Sequence, residues 1–146
     1  MSDRRELVVS WLLPLARLAV AGVLIYAGLQ KLPNIRAFAE IIGNFKMLRA
    51  ESGQLLAVIL PWCEVTTGLF LLCGLWLRAA GLMSLLMFCA FTTATGSLLA
   101  RGLKTECGCF GTDSIVDWRT LAIDLAGVVA ATAIIWMTSV RRRLEV

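Results

Sequence analysis

The sequence predicts an all-α fold: an integral membrane four-helix bundle with an additional amphipathic interfacial helix between the first and second spans. Three observations lead there. Of 146 residues, 59% are hydrophobic and the mean hydropathy is +0.81, whereas soluble domains carry roughly 45–50% apolar residues. Four apolar runs each reach the ~20 residues that a bilayer requires. The charged residues, 16% of the chain, cluster between those runs rather than spreading along them. One membrane domain over residues 1–146 is expected.

The first span is expected at about 7–29. Arg4 and Arg5 precede it as the basic end of a signal peptide would, but Arg17 interrupts the apolar run and no small-residue cleavage site follows, so an uncleaved anchor helix is expected. Lys31-Leu32-Pro33-Asn34 breaks the pattern, with Asn34 as a candidate N-cap. From about 34 to 50, Ile35, Phe38, Ile41, Ile42, Phe45 and Leu48 recur at three- and four-residue steps. Arg36, Glu40, Lys46 and Arg49 fall largely between them. That spacing makes an amphipathic helix too polar to span, suited to lie along the membrane surface, with packing on a protein partner as the alternative.

The second span, about 55–76, carries Pro61-Trp62-Cys63-Glu64, Gly68 and Gly74. Arg78 marks a turn, and the third span covers about 79–100. A polar cysteine loop, 101–117, precedes the fourth span at about 118–140, which holds Asp124 and ends at Arg141-Arg142-Arg143. The five tryptophans fall mostly near span ends, where interfacial anchoring accounts for them.

Four spans put both termini on one face and the cysteine loop on the other. Arg4, Arg5, Arg78 and Arg141 to Arg143 oppose Lys31, Arg36, Lys46, Arg49, Arg101, Lys104 and Arg119, so the raw count does not decide orientation. Density does: the triple arginine abuts a span end, which predicts cytoplasmic termini and an extracytoplasmic loop. A basic chain could bind nucleic acid if soluble, but here the basic residues flank spans as topology signals, so no nucleic acid is expected and membrane lipid is.

The chain has no histidine, which removes imidazole as a base or metal ligand. Chemistry must then rest on thiols and carboxylates. Cys107 and Cys109 flank Gly108, whose backbone freedom would let sulfurs at i and i+2 meet. A closed loop of about three residues contributes roughly 1.6 kcal/mol of loop entropy, against about 4.7 for a 100-residue loop. Such a bond suits reversible exchange better than stapling, and strain and exposure make it an electron acceptor for another thiol. Lys104 would favour a thiolate and Glu106 would oppose it. A structural bond or idle thiols are the plain alternative. Zinc wants four ligands and Cu(I) could take two sulfurs, but no metal site is assigned.

Cys63, Cys73 and Cys89 lie in spans, where a cysteine is usually a small buried hydrophobe. Cys63 is also a candidate relay thiol, although helical rise sets it about 12 Å below the loop-side end of its span. Arg17, Glu64 and Asp124 are intramembrane charges, each costing roughly 2.5–3.5 kcal/mol on insertion scales. They are expected to pair as a polar cluster, acting as packing glue, a proton path or a polar pocket beside the loop.

Gly28-Leu29-Gln30-Lys31, Leu60-Pro61-Trp62-Cys63-Glu64 with Gly68, Gly74-Leu75-Trp76 and, above all, Cys107-Gly108-Cys109-Phe110-Gly111 resemble the MauE (methylamine-utilisation) family of DoxX-like four-helix membrane proteins, over most of the chain. The resemblance implies a multi-pass protein of the bacterial cytoplasmic membrane that acts in thiol-disulfide chemistry. It would support disulfide formation in an exported enzyme, alongside a thioredoxin-like or other exported thiol protein. Phe110 and Gly111 would shape the loop, and a quinone is a candidate electron acceptor. Cys63 stands where an apolar residue is expected, and Ile123 where a basic one is. A non-catalytic assembly factor and a transporter of small sulfur compounds or metals are the competing functions.

Overall fold

The computed structural model describes residues 2–44, 50–102 and 117–144. The described residues form five α-helices and no strand: α1 (Ser2–Lys31), α2 (Ile35–Asn44), α3 (Ala50–Cys73), α4 (Leu77–Ala100) and α5 (Trp118–Leu144). Four helical stretches are long and apolar enough to cross a membrane: Ser10–Gly43, Ser52–Cys73, Leu77–Ala100 and Trp118–Arg141. Only about a third of each is buried within the protein. Outward surfaces rich in Leu, Val, Phe and Trp are what a lipid solvent accepts.

The helices pack in a closed ring, with α1 on α3, α3 on α4, α4 on α5 and α5 back on α1. The core of Val20, Leu24, Leu71, Met87, Phe88 and Ile134 draws on every member of that ring. Without a hydrophobic drive between helices in lipid, close packing has to hold them, and small residues permit it. A Cβ on Gly28 would lie 2.7 Å from Val65 Cγ2 and 2.8 Å from the Pro61 carbonyl oxygen, and one on Gly68 would lie 2.6 Å from Ile25 Cγ1. Both glycines therefore let the α1 and α3 backbones approach. Neither Pro14 nor Pro61 ends its helix.

One local expectation is revised. Asn34 does not open a helix as a cap after a break. Leu32–Asn34 is one turn of 3₁₀ helix whose dihedrals run straight on into α2, because the fixed φ of Pro33 suits a first helical turn. Of the expected helix from 34 to 50, the structure describes α2 as far as Asn44, Ala50 already belongs to α3, and residues 45–49, including Phe45, Lys46, Leu48 and Arg49, lie outside the described residues. The α2 stripe of Phe38 and Ile42 packs on Ala57 of α3, while Arg36 and Glu40 are exposed.

The turn between α3 and α4 is a Schellman closure. The Leu75 amide donates to the Phe70 carbonyl at 2.9 Å, the Gly74 amide donates to the Leu71 carbonyl at 3.3 Å, and Gly74 takes the left-handed φ of +75° that this motif requires. Trp76 is also left-handed, at φ 46°. Asp117 opens α5, its carboxylate accepting the Trp118 amide at 2.7 Å and its carbonyl the Thr120 amide at 3.0 Å. An anionic cap at a helix N-terminus satisfies orphan donors and the macrodipole together.

Candidate functional site

The best-defined polar feature sits inside the bundle. Lys31 Nζ donates to both carboxylate oxygens of Glu64, at 2.6 Å and 2.8 Å, and the two residues are 1% and 0% exposed. Helix geometry explains the meeting. The helices α1 and α3 run antiparallel, and side chains lean toward the N-terminus of their own helix. Lys31 thus leans back toward Gly28 and Glu64 leans toward Pro61, the level at which those backbones touch. The ammonium also stands 5.5 Å from the Phe38 ring centroid and 5.0 Å from that of Phe91. Cation–π attraction strengthens once water is excluded, so α2 and α4 help to hold this charge.

On the neighbouring pair, Thr95 of α4 donates to Asp124 Oδ2 of α5 at 3.2 Å, and Asp124 is 1% exposed. Asp124 Oδ1 is buried with no hydrogen-bond partner among the described residues. Phe91, which faces Lys31, lies one helical turn before Thr95 on α4, so the two polar pairs stand at the same end of the bundle, and one carboxylate oxygen of Asp124 is open to a proton or a donor.

This corrects the expected cluster of Arg17, Glu64 and Asp124. Arg17 lies at the opposite end of the bundle, where its Nε donates to the Leu71 carbonyl at 3.0 Å and its Nη2 to the Leu72 carbonyl at 3.3 Å. It satisfies the last carbonyls of α3, where a cation also opposes the negative end of the helix dipole. The residue that joins Glu64 is Lys31, which sequence reading counted among the loop charges. One signal could have found it: the apolar register of α1 carries Ala21, Leu24 and Ala27 onto the buried face, and the same three- and four-residue steps reach Lys31.

Cys107 and Cys109, with Lys104, Glu106, Gly108, Phe110 and Gly111, lie outside the described residues. That segment connects α4 to α5 in sequence, and Thr95 and Asp124 lie about 7–9 Å inward from the helix ends next to it, by helical rise. Cys63 is half-buried and packs against the apolar core. Cys73 and Cys89 are exposed on the outer faces of their helices rather than buried, since their positions fall on the outward stripe. Ile123 is outward too, pointing away from the cluster that its neighbour Asp124 joins.

Among the described residues, no three Cys, Asp or Glu side chains converge as metal ligands.

Fold and site together define a small multi-pass membrane protein, helical throughout its described residues, with a buried charge cluster near the ends of α4 and α5 that the cysteine-bearing segment connects. The chain belongs to the MauE family: the family's sequence model, described as Methylamine utilisation protein MauE, matches residues 9–137. It is 26% identical over 121 residues to the methylamine utilization protein MauE of Paracoccus denitrificans, an alignment that covers 81% of this chain and 65% of that protein. The chain thus spans less than two thirds of that relative's length. No solved structure matches it.

Proposed function

We propose that the chain is a membrane thiol-disulfide redox protein whose Cys107–Cys109 pair exchanges disulfides with an exported thioredoxin-like or other thiol protein, supporting maturation of an exported enzyme in methylamine utilisation. The observation that carries this reading is the position of the Lys31, Glu64, Asp124 and Thr95 cluster at the roots of the helices that bracket the cysteine segment. In a chain without histidine, those carboxylates are the acid–base groups at hand for a thiol.

A thiolate of a reduced partner attacks one sulfur of the Cys107–Cys109 bond, and the partner's second thiol resolves the mixed disulfide. The partner leaves as a disulfide, and two electrons and two protons remain on the pair as two thiols. A more oxidising disulfide protein then takes both back, restoring the bond. Cys63, half-buried against the core, is not needed for this cycle. The density of arginines at the end of α5 supports cytoplasmic termini and an extracytoplasmic pair in the bacterial inner membrane. The exposed Arg36 and Glu40 opposite a buried apolar stripe support an interfacial position for α2.

The test is partner oxidation by Cys107→Ser, Cys109→Ser and the double variant in membranes. Single variants should lose oxidation at unchanged protein level, and one of them should accumulate a mixed disulfide. A second reading, a non-catalytic assembly factor, draws on an open groove of about 460 Å³ between α2 and α3, lined by Ile35, Arg36, Glu40, Gln54 and Val58. On that reading the double serine variant would be nearly silent, and the redox account would fail.

A further inference from the structure

At the end of the bundle away from the polar cluster, a groove of about 590 Å³ opens between the α3–α4 turn and the last turns of α5. Arg78 of α4 and Arg141 of α5 line it together with Thr138, Trp76, Leu13 and Leu77, and among the described residues no acidic side chain does. Arg17 stands directly behind its wall, with Nη2 2.6 Å from where a Cβ on Gly74 would lie. Three guanidinium groups from three different helices thus converge on one corner, with Arg142 and Arg143 next in sequence. Trp76, 82% exposed, marks the depth at which aromatic rings favour the headgroup layer.

We propose that this groove is a binding site for one anionic phospholipid, the arginines holding its phosphate and the Leu13–Leu77 wall taking the start of its acyl chains. Charge complementarity names the phosphate, because guanidinium groups match phosphate oxygens in a forked geometry. Location and lining name the lipid rather than a soluble anion. The groove opens where spans leave the hydrocarbon layer, and half of its walls are apolar, which a free phosphate would not use. Basic pockets between spanning helices recognise lipid headgroups by this combination. The site lies apart from the cysteine segment and does not rest on the redox reading.

The test is native mass spectrometry of the full chain in neutral detergent, titrated with phosphatidylglycerol or phosphatidylcholine. The wild type should retain phosphatidylglycerol at least tenfold better. With each arginine near the surface contributing roughly a fivefold gain, Arg78→Gln/Arg141→Gln should erase the preference, Arg78→Lys/Arg141→Lys should keep most of it, and Arg119→Gln at the other end of α5 should leave it unchanged. Ala79→Phe, which fills the groove without altering charge, should lose it too. Equal retention of the two lipids by the wild type, or a preserved preference in Ala79→Phe, would overturn the proposal. So would displacement of phosphatidylglycerol by millimolar inorganic phosphate, which would mark a free-anion site.

Discussion

The ammonium of Lys31 and the carboxylate of Glu64 form a doubly hydrogen-bonded pair, at 2.6 and 2.8 Å, between α1 and α3 with almost no exposure to the surroundings. A pair so placed is a structural commitment. Removing one partner leaves an uncompensated charge in a medium that cannot solvate it.

Lys31→Met should therefore destabilise the protein by about 3–5 kcal/mol, and Lys31→Met/Glu64→Leu should recover most of that loss, since an apolar pair of similar volume is often as stable as a buried ion pair. Thermal unfolding in detergent of the two singles and the double gives the coupling. A double variant as unstable as the single would show that the cation–π contacts to Phe38 and Phe91, not Glu64, are what Lys31 contributes.

Gly28 and Gly22 lie on the same helix with opposite surroundings. A Cβ on Gly28 would press on Val65 and the Pro61 carbonyl, whereas one on Gly22 meets nothing within 4 Å. Gly28→Ala should cost about 1–3 kcal/mol by overpacking and should move Lys31 away from Glu64. Gly22→Ala should be neutral or stabilising by up to about 1 kcal/mol, from helix propensity alone. Melting temperatures of the two variants side by side decide the point.

Arg17 closes α3 from a different helix, and Gly74 makes room for it. Arg17→Gln should cost about 1.5–3 kcal/mol, the range for hydrogen bonds from charged groups. Gly74→Ala should also destabilise, because its φ of +75° and the nearby Arg17 Nη2 both oppose a Cβ. Hydrogen exchange localised to the end of α3 would separate loss of this cap from global unfolding.

Thr95 and Asp124 link the two helices that bracket the cysteine segment. Thr95→Val removes the donor and leaves a buried carboxylate short of a partner, at a cost of about 1–3 kcal/mol. Asp124→Asn keeps an acceptor for Thr95 and should fold normally, yet slow partner oxidation if the carboxylate handles the thiol proton. Normal exchange in a folded Asp124→Asn variant would reduce the cluster to packing glue.

How much of this was legible beforehand varies by residue. Four apolar runs were visible because a bilayer core demands about 20 apolar residues of any helix that crosses it, and Glu64 and Asp124 stood out as charges inside those runs. Their partners did not. Lys31 sits at the edge of a run, where a basic residue normally reports topology, and only the antiparallel register of α1 and α3 turns it inward. Arg17 was visible as an intramembrane charge, but its partners are backbone carbonyls, which no pattern of side chains reveals.

The chain alone thus determined its solvent, its number of spans and the residue types available for chemistry, since these follow from local hydropathy and from the lack of histidine. The tertiary structure alone decided the pairing of its charges. Which ammonium meets which carboxylate depends on where glycines such as Gly28 and Gly68 let backbones touch, and that is a property of two helices packed together rather than of either one.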